Sequence, residues 1–247
     1  MVSGLQREPP TPLDAPSKAA PPPPAAASGG ARDFELDALL DAFAVTVKLY
    51  AVLGPAALAK GVDEGNIAKV RAAAAALLPP AATRPVDAAD GGGPAKSGAP
   101  PDGSSATSLR ALLGAEKQAG AHPHLASRGQ LTDPSAALGV VWLVRSMRFI
   151  EHVMRGLSAD RRCSLSEMTW FSYRTQLEEY HSLVLKTTFR VAFKAVGTRE
   201  AFVDKLAPGV DKEHAHRQMA ELASLQRDAL AVLCDLLREI GVVERAH

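Results

Sequence analysis

Fourteen of the 18 prolines fall in two stretches, eight in residues 1–32 and six in residues 79–106, leaving four for the other 187 positions. Proline lacks a backbone N–H and clashes with the preceding turn, so this distribution separates segments that cannot hold long helices from segments that can. Both proline-rich stretches are also poor in large apolar side chains, as in the four consecutive prolines at 21–24 and the glycine triplet at 91–93. Such segments bury too little to offset the entropy of ordering them. Residues 1–32 are therefore expected to form a disordered Ala/Pro-rich tail. Residues 79–106 are expected to be a disordered insertion in one domain spanning 33–245, because neither flank is large enough to stand alone. A targeting peptide is the competing reading of the tail, but Glu8 and Asp14 interrupt it and no Arg-rich amphipathic stripe is present.

The proline-poor remainder reads as helix. Leu36, Leu39, Leu40, Phe43, Val47 and Tyr50 follow the three-four spacing of one helical face, and Gly54-Pro55 ends it. Ile67, Val70, Ala74 and Leu77 repeat the pattern, and Leu109, Leu112 and Leu113 mark a shorter third helix. A fourth is expected to start with Asp133 as N-cap and Pro134 at the first helical position, running through Leu138, Trp142, Phe149 and Val153 to Gly156. Ser164 and Glu167 have the capping-box form, and one helix is expected from there through Tyr173, Tyr180, Val184 and Phe189 to a stop at Gly197. A short helix over 201–206 and a long one over 212–240 complete the set. No period-two stretch bounded by hairpin turns occurs, so the class is all-α.

Charge and motif content exclude several functions. Lys plus Arg number 28 against 27 Asp plus Glu, so a formal charge of +1 gives no global field for nucleic acid or an anionic bilayer. The longest apolar run, residues 136–144, is far shorter than the roughly 20 residues that span a bilayer, so a soluble chain is expected. Cys163 and Cys234 have no partner spacing, which points to reduced thiols and a cytosolic location. No phosphate loop, nucleophile elbow, HExxH or CxxC pair appears. Asp63 and His181 could supply two parts of a hydrolytic apparatus, yet no serine or cysteine lies in an activating context, so an enzyme is not expected.

Four polar groups are candidates for chemistry. Asn66 and Lys69, three apart at the start of the second helix after Asp63 and Glu64, offer an amide beside a cation that suits hydroxyls. Acidic residues at a helix start can equally be there to complement the dipole. Trp142, Arg145 and Phe149 share one stripe of the fourth helix: an indole can stack on the apolar face of a sugar ring, though a Trp in such a stripe is more often core. His181 heads an apolar face continuing through Leu185, Thr188 and Phe189, and is either a satisfied core residue or a hydrogen-bonding group at the mouth of a cavity. The i, i+2 pairs His122/His124 and His214/His216 point apart on a helix and are assigned to solvent rather than to a metal; no metal or cofactor is expected.

In combination these motifs are specific. The order Asp63, Asn66-Ile67-Ala68-Lys69, then Val141-Trp142-Leu143-Val144-Arg145-Ser146-Met147-Arg148-Phe149-Ile150, then Tyr173 and Tyr180-His181, resembles the glycolipid transfer protein family. The resemblance implies a two-layer helical sandwich that encloses one sphingolipid and carries it between membranes without chemistry, as a monomer making transient peripheral membrane contact. It implies that Asn66 and Lys69 bond the headgroup sugar, that Trp142 stacks beneath it with Arg145 nearby, and that Asp63 and His181 bracket the ceramide amide and carbonyl. Phe149 and Phe189 match positions lining the hydrocarbon tunnel, with Leu185, Leu39 and Phe43 as further candidates. A glycosylceramide is the expected cargo; ceramide-1-phosphate transfer, or a lipid sensor using the same pocket, is the alternative.

Two departures from the family pattern stand out. Two residues rather than three separate the aspartate from the asparagine, so strict spacing would put Val62 at the acidic position; Asp63 can reach if the helix starts late at Gly61. The tryptophan that mammalian members carry two residues after the histidine is replaced by Leu183, leaving Trp170 and Phe171 as candidate substitutes for membrane docking.

Overall fold

A computed structural model describes residues 32–54, 60–78 and 107–243. The expected tail, except Arg32, and the 79–106 insertion lie outside the described residues. Those described form nine α-helices and one 3₁₀ turn with no strand, and Glu35 and Ser108 make an isolated bridge.

The organising element is the helix at Ala136–Ala159, α5 in chain order, in which 16 of the 24 residues are buried. A helix apolar on nearly every side must be surrounded, and α5 packs against α1 (Leu36–Val52), α2 (Lys60–Leu77), α3 (Leu109–Gln118), α6 (Leu165–Gln176) and α9 (Lys212–Glu239). One apolar cluster joins the first halves of α1 and α5 to α2, α3 and the end of α9. A second joins the ends of α1 and α5 to α6, α7 (Leu183–Lys194), α8 (Arg199–Leu206) and the start of α9. Hence α1 and α5 run parallel and α9 runs back between the two clusters. The short α4 (Leu125–Arg128) bridges α3 and α5 in sequence. The architecture is the all-α sandwich expected.

The ends of α5 are closed by distant side chains. Buried Glu116 accepts from the backbone N–H groups of Ala136 and Ala137 at 2.6 and 2.9 Å, supplying negative charge to the positive end of the helix dipole. At the other end the Arg199 guanidinium donates to the carbonyls of Leu157, Asp160 and Cys163. The expected start of this helix is corrected: Ser135, not Asp133, is the N-cap, accepting from Leu138 N–H at 3.1 Å, and Pro134 lies outside. Gly156 does not stop it either: the helix runs on to Ala159, and the absent Cβ leaves room for the Met168 side chain of α6.

The single helix expected over 164–197 is also corrected. The capping box at Ser164 and Glu167 forms, but Leu177 leaves helical geometry, a 3₁₀ turn covers Glu178–Tyr180, and His181 is extended. Ser182 then caps a new helix, its Oγ accepting from Leu185 N–H. Two histidines assigned to solvent are buried: His122 lies 3.4 Å from Glu116, and His216 is enclosed against α9's neighbours.

Candidate functional site

On α2 the buried residues are Asp63, Asn66, Ile67 and Val70, the spacing of one helical face, and two of them are polar. That face meets α5 at Gly139, where a Cβ would lie 2.9 Å from both the Asn66 carbonyl oxygen and Val70 Cγ2. The glycine permits a close crossing that carries the polar pair onto α5. There Ser146 Oγ donates to Asp63 Oδ1 at 2.9 Å. Asp63 Oδ2 and Asn66 Nδ2 are buried and neither makes a hydrogen bond of ordinary geometry to a described residue, although the Asn66 amide is close enough to act on the Asp63 carboxyl. Burial pushes the Asp63 carboxyl up to about 6, the Ser146 hydroxyl and the Asn66 amide pulling the other way.

The shortened spacing thus turns Asp63 inward, 2% exposed, while Val62 is 61% exposed. It does so without a late helix start, since Gly61 already lies inside α2. Lys69 sits at the edge of this face with Nζ 2.7 Å from Asp133 Oδ1, so its charge is matched by the residue expected to cap α5. Beneath them Tyr50 donates its hydroxyl to the Ser146 carbonyl at 3.4 Å; burial, then the Asp63 charge, holds its phenol well above the usual range.

Trp142 and His181 come together. Trp142 is half-buried, with the His181 ring stacked on it at 6.0 Å, Tyr180 edge-on at 6.2 Å and the Arg145 guanidinium 5.0 Å from its centre. Arg145 also lies 3.5 Å over the Tyr180 ring. His181 in turn stacks on Phe189 at 5.3 Å, and Phe189 on Phe193 at 5.6 Å. Phe193 meets Phe149, and Phe149 stacks on Tyr50, each at 5.9 Å. A continuous series of rings therefore leads from the half-exposed indole into the second apolar cluster and back to the residue beneath Asp63. The break between α6 and α7 makes this possible by bringing His181 Nδ1 within 3.0 Å of Tyr173 Oη. Burial, then Lys186 and Arg145, pulls His181 below its ordinary value, so the ring is neutral at pH 7. Tyr173 is pushed up to about 12, chiefly by burial, and stays protonated.

The expected tunnel residues separate. Leu39 and Phe43 are buried in the first cluster and Phe149 and Phe189 in the second, where both rings pack against Phe193. Leu185 is 45% exposed in the first turn of α7, beside Leu183 and Val184, and does not join them. The outer side of α7 presents an apolar strip that includes Leu183, Val184, Thr187, Thr188 and Val191. Trp170 stacks on Tyr173 at 5.8 Å while Phe171 is exposed.

Sequence reasoning did not select Ser146, Tyr50 or Phe193. Ser146 was visible as the one hydroxyl in the Trp142–Phe149 string; Tyr50 and Phe193 carry no signal beyond their place on apolar faces. Together the site offers a buried carboxylate acceptor, an amide donor, a neutral imidazole and an aromatic plane at its rim, which suits a neutral ligand bearing both O–H and N–H groups.

A family model described as "Glycolipid transfer protein (GLTP)" matches residues 34–208. Glycolipid transfer protein 1 of Arabidopsis thaliana is 30% identical over 73 residues, covering 30% of this chain and 36% of that one. With Arabidopsis glycolipid transfer protein 2 included, the matches span between 36% and 58% of the curated relatives' length. Among solved structures, HET-C2, a fungal glycolipid transfer protein, superposes with a TM-score of 0.61 at 20% identity, covering 83% of this chain and 85% of that one. Human ceramide-1-phosphate transfer protein bound to 12:0 ceramide-1-phosphate gives 0.65 at 17% identity, covering 88% and 93%.

Proposed function

The chain belongs to the glycolipid transfer protein family, and on that premise we propose that it is a non-enzymatic carrier of one sphingolipid between membranes, with a glycosylceramide as cargo and the cytosol as its location. The observation that carries this reading is the pair of buried polar atoms, Asp63 Oδ2 and Asn66 Nδ2, without a hydrogen bond of ordinary geometry among the described residues, on a face of α2 packed against the helix that carries the half-buried Trp142. A buried polar atom left unmatched costs about 1–3 kcal/mol, and a ligand amide or hydroxyl that matches it recovers that cost. Asp63 and His181 then hold the ceramide amide and carbonyl, while Asn66 and Trp142 face the sugar.

The apolar part of the cargo sets the need for a carrier. A ceramide has on the order of 30 methylenes, and at about 0.8 kcal/mol each its exposure to water costs over 20 kcal/mol. An apolar interior removes that barrier without binding more tightly than the bilayer does. Tails enter between the rings of the second cluster, whose pairwise contacts contribute only about 0.5–1.5 kcal/mol each. Membrane contact is made by α7, where Leu183, Val184 and Val191 are exposed and Lys186, Arg190 and Lys194 are the charged residues of a helix without an acidic one.

Lys69 supports a sugar over a phosphate, because Asp133 already matches its charge. Arg145, on the face of Tyr180 at the rim, favours the second reading, ceramide-1-phosphate, which the similar human protein binds. Vesicle-to-vesicle transfer of fluorescent glucosylceramide and ceramide-1-phosphate, with the recovered lipid analysed by mass spectrometry, tests the proposal. Faster transfer of glucosylceramide, recovered unchanged, is expected; a cleaved or modified lipid would rule out the carrier reading.

A further inference from the structure

The two helices that form the headgroup site cross antiparallel. Asp63, near the start of α2, meets Ser146, while Asn66 and Val70 further along meet Gly139, earlier in α5. Lys69, three positions after Asn66, is thereby carried towards the start of α5, where its Nζ lies 2.7 Å from Asp133 Oδ1. The two side chains are 32% and 60% exposed, so the pair stands at the rim rather than in the core. An ion pair of this kind contributes little to stability. Its effect falls on whatever charge approaches the rim.

Asp133 is held in place by its neighbours. Thr132 N–H donates to His122 Nδ1 at 3.3 Å, and His122 Nε2 lies 3.4 Å from buried Glu116. Glu116 in turn accepts from the N–H groups of Ala136 and Ala137. Ser135 Oγ caps α5, which leaves the Asp133 carboxylate for Lys69. The segment is thus anchored one residue before Asp133 and two residues after it. Lys69 and Asp133 together net to zero charge. Sugar hydroxyls are indifferent to that balance. A phosphate monoester, with a charge of about −1.5 to −2 near pH 7, loses the cation it would otherwise meet and gains a like charge nearby.

We propose that Asp133 is a specificity-determining residue, a fixed counter-ion that acts through Lys69 to set the headgroup site against anionic sphingolipids. This role rests on the carrier reading, and it gives selectivity against charge to a positioning residue outside the set that holds the ligand.

The test is uptake of lipid by the full chain from phosphatidylcholine vesicles containing either ceramide-1-phosphate or glucosylceramide, with the bound lipid quantified by mass spectrometry. Asp133→Asn should tighten ceramide-1-phosphate binding about tenfold and change glucosylceramide binding by less than about twofold. Lys69→Gln should weaken ceramide-1-phosphate binding, and the double variant, whose pair again nets to zero, should return to within about twofold of the parent. Other charges at the rim, Asp63 and Arg145 among them, are common to all four proteins, so the order follows the pair alone. The differences should shrink at about 0.5 M salt, where screening shortens to a few ångströms, an effect that a merely structural role would not show. Asp41→Asn removes the same charge from the pair with Arg71 and should leave uptake of both lipids as in the parent. Circular dichroism confirms that each variant is folded. Unchanged ceramide-1-phosphate binding in Asp133→Asn, an equal gain for both lipids or in Asp41→Asn, or a double variant as tight as Asp133→Asn, overturns the role. A parent that takes up neither lipid overturns it together with the carrier reading; a parent that takes up glucosylceramide, with any of those results, overturns it alone.

Discussion

Ser146 Oγ donates to Asp63 Oδ1 at 2.9 Å, so the carboxyl that α2 buries is gripped by α5 through one oxygen while the other makes no hydrogen bond of ordinary geometry to a described residue. Folding raises this carboxyl from 3.8 to about 6. Between those values the folded chain keeps a proton that the unfolded chain has lost, so stability falls as pH rises through the window, by about 3 kcal/mol in total. Asp63→Asn removes the dependence. Its melting temperature should exceed that of the parent at pH 7.5, the gap closing towards pH 4, while sphingolipid binding drops about tenfold. Parallel pH series of thermal melts check this; a gap constant with pH would show that folding does not raise the carboxyl's pKa.

Trp142 is half-buried, and its described ring neighbours are Tyr180, His181 and the Arg145 guanidinium, so truncation changes the rim more than the core. Trp142→Ala should slow glucosylceramide transfer about tenfold, or about 1.4 kcal/mol, with helicity retained. Transfer assays at matched protein concentration decide it, and unaltered transfer would remove the stacking role.

His181 is held by the Tyr173 hydroxyl at 3.0 Å and contacts the ceramide rather than the sugar in the proposed arrangement. His181→Leu should therefore weaken glucosylceramide and ceramide-1-phosphate alike. Tyr173→Phe, losing one hydrogen bond of about 1 kcal/mol, should do so about fivefold. Competition binding with both lipids tests the pair, and an effect confined to the sugar lipid would reassign the histidine.

On α7, Val184 is 75% and Val191 66% exposed. Val184→Glu with Val191→Glu should reduce co-sedimentation with anionic vesicles about tenfold and slow transfer, leaving the melting temperature within a few degrees of the parent. Normal vesicle association by this variant would place the docking face elsewhere.

The long helices were legible because an apolar face repeats many times along each, and the Ser164 capping box because both partners lie within one turn. What escaped depends on groups far apart in sequence. Glu116 takes the N-terminal amides of α5 from 20 residues away, so Asp133, which looks like the cap, is released to pair with Lys69. The break at Leu177 was hidden because Tyr180 and Val184 keep helical spacing, although Ser182 in front of Leu183 was a usable capping signal. In the site, the spacing of Asp63 and Asn66 pointed to one face, whereas Ser146, their partner on α5, is fixed only by the close crossing at Gly139. Leu185 looked like part of the buried stripe because it lies four positions before Phe189, but the first turn of α7 extends into solvent.

The central claim is tested most directly by native mass spectrometry of the lipid-free chain incubated with equimolar glucosylceramide, ceramide-1-phosphate and phosphatidylcholine. A one-to-one complex dominated by glucosylceramide, lost in Trp142→Ala, is expected. A chain that acquires no sphingolipid, or takes phosphatidylcholine equally well, would contradict it.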